Sequence, residues 1–221
     1  MIWNAIGFVF LFALCGAAYA QSSIPVPTGA AGPAWVHVDL GEVLPATGGG
    51  LQILAQNAKD ETPTASAVGR HRDGIGAAGA QASAPAIKAE TGFDPVQNQS
   101  EQIIIIFDEA VTEADIDVNY FFRNEEDKGG IAYHERGGWR AYGGTVLVGQ
   151  GLFLPEPIGG SHQIKIAAPA PFDRLEMFAT PYVTETGNEI EPGLITTDSS
   201  DFLIKHIAYK PVTPARGGIA H

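Results

Sequence analysis

Apolar and polar residues alternate most regularly between residues 102 and 142. In Ala114–Arg123 the even positions are apolar and the odd positions are polar, except for Phe121. This alternation is typical of a strand with one face on a core. The preceding run, Ile103–Phe107, is apolar throughout and predicts a central strand that is covered on both faces. Because Phe121 breaks the alternation, we expect its side chain to be exposed.

Shorter strand patterns follow each other along the rest of the chain. They are Trp35–Leu40, Leu51–Gln56, two strands around a Gly-Gly turn in Gly137–Val148, Gln163–Ala167, Arg174–Thr180 and Phe202–Tyr209. The first two could pair as a hairpin. Strands at this spacing, separated by Gly and Pro turns, predict an antiparallel β-sandwich. No strand alternates with a helical pattern, so nothing favours a parallel sheet.

The first residues have the pattern of a secretory signal peptide. Residues 2–20 contain no charged side chain, include the apolar run Ile6–Leu14 and end in Ala18-Tyr19-Ala20. We therefore expect cleavage after Ala20 and a secreted protein, periplasmic or extracellular. The single cysteine, Cys15, lies inside this segment, so the mature chain would form no disulfide. A lipid anchor on Cys15 is the alternative, but the residues before it fit that signal poorly.

The remaining chain is long enough for one large all-β domain. We expect a flexible lead-in over residues 21–34, a sandwich domain over residues 35–210 and a flexible tail over residues 211–221. Residues 62–90 are rich in Ala and Gly, which indicates either a flexible linker or an extended excursion held against the domain.

The charge of the chain excludes some partners. Its formal net charge is −12, and residues 1–20 contribute none of it. Nucleic acids and anionic lipids are bound by cationic surfaces, so we expect neither as a partner. No segment after the predicted cleavage site is long and apolar enough to predict a membrane span.

An acidic turn precedes the last predicted strand and is a candidate calcium site. In Asp198-Ser199-Ser200-Asp201 two carboxylates and two hydroxyls follow each other closely, and such oxygen ligands suit Ca²⁺. The same residues commonly cap turns without a metal. A second acidic set, formed by Glu113, Asp115, Asp117 and Asn119, lies on one strand face, where we expect a solvated surface.

An aromatic and basic cluster near the middle of the chain is the candidate ligand site. It comprises Tyr133, His134, Arg136, Trp139, Arg140 and Tyr142. Aromatic rings stack on the apolar faces of sugars, and neighbouring charged groups fix the orientation of a ligand. The alternative interpretation is that Trp139 and Tyr142 are core residues of a strand.

Catalytic motifs are weak in this sequence. It has no Gly-x-Ser-x-Gly elbow, and the mature chain would have no thiol nucleophile. His134 and Glu135 are neighbours in sequence, which does not establish an acid and base pair. The two carboxylates of a glycoside hydrolase come from distant strands and would leave no local pattern, so that class stays open.

Several short motifs resemble the jelly-roll, galactose-binding-like β-sandwich domains of bacterial exported and adhesin-type proteins. The motifs are Asp73–Gly76, Ser100–Ile103, Phe107-Asp108, Asn124-Glu125, Trp139–Tyr142, Phe172–Leu175 and Asp198–Ile204. The resemblance covers residues 35–209. It implies a non-catalytic module that binds carbohydrate or a cell-surface partner, with a structural Ca²⁺ near the last strand.

Two functions remain open at this stage. The first is a secreted binding module that recognises a glycan or a cell-surface partner. The second is a structural subunit of an extracellular filament or matrix, which the strand-rich body and the Pro-rich and Ala-rich lead-in favour.

Overall fold

The chain folds into antiparallel β-strands. The computed structural model describes residues 34–40, 47–48, 50–58, 62–78, 89–191, 193–195 and 198–212. The strands are β1 (Val36–Asp39), β2 (Thr47–Gly48), β3 (Leu51–Gln56), β4 (Val68–His71), β5 (Gly74–Ala77), β6 (Thr91–Asp94), β7 (Gln99–Ser100), β8 (Gln102–Asn119), β9 (Glu126–Lys128), β10 (Ile131–Gly143), β11 (Val146–Phe153), β12 (Ser161–Thr184) and β13 (Asp201–Pro211). A single 3-10 turn spans Ala65–Ala67. The described residues contain no α-helix, and the predicted all-β antiparallel class is confirmed.

Parts of the predicted organisation lie outside the described residues. These parts are the signal peptide, nearly all of the lead-in, and the tail beyond residue 212. The described residues all belong to one compact unit. No helix among the described residues is long and apolar enough to cross a membrane.

Strand β8 is the centre of the sheet, and its two halves have different neighbours. The first half pairs with β3 on one side and with the second half of β12 on the other. The second half pairs with β13 and with the first half of β12. The prediction that Ile103–Phe107 forms a central strand is therefore confirmed. The predicted strands on either side of Asp108 are one continuous strand of 18 residues.

The sheet runs in the order β11-β10-β12-β8-β13-β5-β4, and both halves of β8 bury apolar residues in the same cluster. We call this cluster the main core. It includes Phe107, Phe121, Phe153, Phe172, Phe202 and the aliphatic residues of β3, β8, β12 and β13. The rings of Phe121 and Phe202 meet edge to face with centroids 6.1 Å apart, an arrangement that aromatic pairs prefer. A core shared by both halves is the arrangement of a sandwich-like fold.

The alternation predicted for β8 holds as far as Asn119 and then reverses. Ala114, Ile116 and Val118 are buried as expected. Tyr120 has a φ of 56°, in the left-handed region, so the next side chain points to the opposite face from the one the alternation predicts. Phe121 is therefore fully buried, and the expectation that it is exposed is wrong.

Strand pairing differs from the sequence prediction in two places. The first two predicted strands do not form a hairpin, because β1 pairs with β13 and β3 pairs with β2 and β8. Strand β12 unites two predicted strands, and its register with β8 shifts between Ala167 and Phe172. Pro169 and Pro171 lie in this interval, and proline cannot donate a hydrogen bond to a neighbouring strand.

Part of the Ala-rich and Gly-rich segment belongs to the sheet. β4 and β5 form a hairpin, and β5 joins β13 through the pair Ile75 and Ile204. Gly76 is required here, since a Cβ atom would lie 2.0 Å from the carbonyl oxygen of Ala89. Residues 79–88 of this segment lie outside the described residues.

Candidate functional site

The six predicted ligand residues lie on β10 but do not share one surface. Side chains of a strand alternate between its two faces, and the register of β10 against β12 also shifts between His134 and Arg136. Tyr133 is buried with Tyr182 and Ile195 in a small second cluster. Trp139 packs against the main core, whereas Arg140 lies 4.5 Å above the ring of Phe178.

His134 and Arg136 are engaged by the protein itself. The backbone N–H of Asn124 donates to His134 Nδ1 at 3.0 Å, so the imidazole proton lies on Nε2, which contacts Glu185 at 2.6 Å. Arg136 Nε donates to the hydroxyl of Thr180 at 2.6 Å, and its guanidinium pairs with Glu189. These contacts hold the carboxylates of Glu185 and Glu189 against β10. They leave His134 and Arg136 with few N–H groups for a ligand.

Trp139 and Arg140 do line a common cavity. Its volume is about 410 Å³, and Gln150, Gly151, Leu152 and Phe178 complete it. Tyr142 lies further along the strand, beneath the guanidinium of Arg174 at 4.1 Å. Of the predicted ligand set, Trp139 and Arg140 thus lie together in this cavity, and the other four residues do not line it.

The predicted calcium ligands lie beside a buried carboxyl from β10. Glu135 is 2% exposed and Asp201 is 9% exposed. Glu135 Oε1 accepts a hydrogen bond from the backbone N–H of Asp201 at 2.9 Å, and Oε2 accepts one from Phe122. Among the described residues neither carboxyl forms an ion pair with Lys, Arg or His. We call the set Tyr133, Glu135, Tyr182, Ile195 and Asp201 the acid-lined cluster.

Burial is the main cause of the raised pKa values in the acid-lined cluster. It raises the pKa of Glu135, and the charge of Asp201 raises it further. Burial likewise raises the pKa of Asp201, with added repulsion from Glu90, Asp198 and Glu125. Burial and the neighbouring carboxylates also raise the pKa of the Tyr182 hydroxyl. The cluster therefore favours an added proton or cation.

Oxygen ligands of this kind suit a hard cation, but their geometry is incomplete. In the part of the chain that the structure describes, no group of three or more His, Cys, Asp or Glu side chains is arranged to hold a metal ion. The calcium site at Asp198 and Asp201 stays a prediction. Glu135 was missed because it comes from a strand far away in sequence. His134 and Glu135 are no acid and base pair, since they contact different partners.

A second site lies at the end of β8, where two cavities adjoin. Their volumes are about 250 Å³ and about 300 Å³, and both are lined by Asn119, Ser161 and Lys205. We call the combined surface the polar groove. Its other lining residues are Asp73, Asp117, Val118, Tyr120, Phe122, Gly160, His162 and Gln163.

Tyr120 and the β4–β5 turn form one wall of the polar groove. The Tyr120 hydroxyl donates to Asp73 Oδ2 at 2.8 Å, and the side-chain amide of Asn119 donates to the Asp73 carbonyl at 3.0 Å. The hydroxyl of Tyr120, followed by Arg72, lowers the pKa of Asp73. A non-glycine residue in the left-handed region costs about 1 to 3 kcal/mol, and such residues cluster at functional sites. Asp73 thus holds the strained Tyr120 in place.

The floor of the groove presents neutral hydrogen-bonding groups. Ser161 Oγ donates to Asn119 Oδ1 at 2.7 Å, and Gln163 Nε2 donates to Asp117 Oδ1 at 3.1 Å. The side chain of Lys205 is exposed and forms no ion pair with any described residue. The sequence predicts Asp117 and Asn119 on a solvated face. It does not indicate Asp73, Ser161 or Lys205, which lie beside them only because of the fold.

No family model, curated protein or solved structure matches this chain. The resemblance to galactose-binding-like domains therefore stays a prediction. The function is therefore inferred from the geometry of the site alone.

Proposed function

We propose that this protein is a secreted, non-catalytic binding module that recognises a carbohydrate in the polar groove. The observation that carries the proposal is that Asn119, Ser161 and Lys205 line both cavities of the groove. Gln163 lines one of these cavities, and the strained aromatic residue Tyr120 lines the other. The signal-peptide pattern of residues 1–20 supports export.

The chemistry of the groove favours a neutral ligand with many hydroxyl groups. Amide and hydroxyl side chains both donate and accept hydrogen bonds, as sugar hydroxyls do. Two of the lining residues, Asp73 and Asp117, are carboxylates, and the chain is strongly acidic, which disfavours an anionic ligand. Tyr120 is only half-buried, so part of its ring is available for stacking on a sugar face.

The engagement of the groove carboxylates supports binding rather than hydrolysis. Asp73 accepts from Tyr120 and pairs with Arg72, whose Nε lies 3.1 Å away. Asp117 accepts from Gln163 and lies 3.5 Å from His206. Asp73 and Asp117 thus both hold neighbouring side chains of the protein in place, which is a structural role.

Glycan-array screening followed by calorimetry tests the proposal. For any glycan that binds, we expect Lys205→Ala and Ser161→Ala to weaken binding by about tenfold or more, because each removes a direct hydrogen bond. Lys165→Ala is the matched control, since Lys165 is an exposed lysine of the same face that does not line the groove.

The same binding measurements distinguish the polar groove from the cavity beside Arg140. If Trp139→Ala abolishes binding in a folded protein and Lys205→Ala does not, the ligand occupies the cavity beside Arg140 instead. If no glycan binds, the carbohydrate proposal is wrong.

A further inference from the structure

Strand β11 lies at one end of the sheet. It pairs with β10 along its whole length, and among the described residues no strand pairs with its other side. A strand in this position presents a row of unpaired backbone N–H and C=O groups. Such a row is a template for another strand.

The side chains of β11 lack the features that usually protect an edge. Val146 and Leu152 are each 63% exposed, and Leu147 is also exposed. No charged residue occurs between Arg140 and Glu156, although the chain carries a net charge of −12. Natural edge strands commonly carry lysine, proline or a bulge that prevents pairing. β11 carries no lysine or proline, and the register shift in its pairing with β10 leaves out Val148 alone, so Gly149–Phe153 remain a regular strand.

We propose that a second copy of this chain adds its own β11 to this edge, antiparallel and about a twofold axis. A twofold interface uses the same surface on both partners, so one uncharged apolar strand satisfies both sides. Two acidic molecules repel each other over most of their surfaces, and β11 is a place where no like charges meet.

The charges at the ends of the strand favour the antiparallel direction. Opposite residues of an antiparallel pair point to the same face, so a twofold axis places one residue of the strand opposite its own copy. With the axis at Gln150, near the middle of β11, pairing brings Glu156 of one copy toward the turn at Gly144 of the other. Arg174 lies next to that turn, because it is in register with Tyr142, and Asp173 accepts a hydrogen bond from the backbone N–H of Gly144 at 3.0 Å, so Glu156 meets one charge of each sign. Glu156 is exposed, and Arg174 is about one third exposed, so the two can approach. Parallel pairing would place the two Glu156 residues together.

This contact is separate from the carbohydrate site that we propose, although Gln150, Gly151 and Leu152 also line the cavity beside Arg140. It shares no residue with the polar groove.

Sedimentation velocity of the purified protein over a range of concentrations tests the proposal. We expect a monomer–dimer equilibrium that Leu152→Lys weakens by about tenfold or more, because it places two charges in the strand pair. Ile158→Lys is the matched control, since Ile158 is 90% exposed and lies outside β11. Circular dichroism of both variants checks that each is folded.

Cross-linking tests the position of the twofold axis. In a Cys15→Ala background, Gln150→Cys is expected to form a disulfide-linked dimer under mild oxidation, and Ile158→Cys is not. A protein that stays monomeric at every concentration overturns the proposal. A dimer that Leu152→Lys leaves unchanged overturns β11 as the interface. Assemblies that grow without limit overturn the twofold arrangement.

Discussion

Phe172 and Glu135 are both almost fully buried, but their surroundings differ. Phe172 lies in the main core, where its ring meets that of Phe107 with centroids 5.9 Å apart. Glu135 lies in the acid-lined cluster, where two backbone N–H groups and a second carboxyl surround it. Burial stabilises an apolar side chain and penalises a charged one. The contribution of the main core therefore does not depend on pH or on cations, whereas the contribution of the acid-lined cluster does.

The largest expected effect is a truncation in the main core. Phe172→Ala removes a ring with no exposed surface and leaves a cavity, so we expect the free energy of unfolding to fall by about 3 to 5 kcal/mol. Urea denaturation followed by circular dichroism measures the change. Ile158→Ala, at a highly exposed position, is expected to change it by less than about 0.5 kcal/mol. A loss below about 1 kcal/mol for Phe172→Ala would mean that the main core collapses around the gap.

A smaller effect is expected from calcium at Asp198 and Asp201, beside the acid-lined cluster. If Asp198 and Asp201 bind Ca²⁺, chelation lowers the melting temperature, because a ligand at 100 times its Kd stabilises a protein by about 2.7 kcal/mol. Asp201→Ala is expected to remove the difference between calcium and chelator, and Asp115→Ala, on the outer face of β8, is the control. An identical melting temperature with and without chelator would exclude the site.

The smallest expected effect is a dependence on pH in the presence of chelator. The pKa values of Glu135 and Asp201 are raised in the folded state, so the folded protein holds protons that the unfolded chain has released. The contribution of the pair is present below the ordinary carboxyl pKa and is lost as the pH rises through the raised values. We therefore expect the urea midpoint to be higher at pH 5 than at pH 8.

The control for this effect is a neutral side chain of the same shape. Glu135→Gln is expected to reduce the difference between the urea midpoints at pH 5 and pH 8. Glu185, whose pKa Arg123 and His134 lower to about 2, acts in the opposite direction, but only below its ordinary pKa. If the urea midpoint instead rises from pH 5 to pH 8, Glu135 and Asp201 ionise in the folded protein without destabilising it.

The same contrast explains what the sequence could predict. Apolar alternation reports which face of a strand is buried, so Ala114, Ile116 and Val118 were placed correctly. It does not report the backbone conformation of one residue, and the left-handed Tyr120 reversed the pattern at Phe121. Local patterns also showed β1 and β3 as strands but could not show their partners, because pairing depends on residues far away in sequence.

The sites were harder to predict than the strands for the same reason. Asp198 and Asp201 are close in sequence and could be proposed together, whereas Glu135 joins them only through the fold. Likewise Asn119 meets Asp73 across 46 positions and Ser161 across 42 positions. The aromatic cluster of β10 was compact in sequence, but strand alternation divided it between two faces. Proximity along a strand is thus a poor guide to a shared surface.

The position of β13 also determines the order in which this chain can fold. β13 pairs with β8, β1, β5 and β6, yet it lies at the end of the described residues. During synthesis these earlier strands emerge first and must wait for residues 201–211 before they gain their partner. Contacts between such distant residues form slowly. The nascent chain therefore stays open until residues 201–211 are made, and truncation before residue 201 would leave β8 with one neighbour missing along its second half.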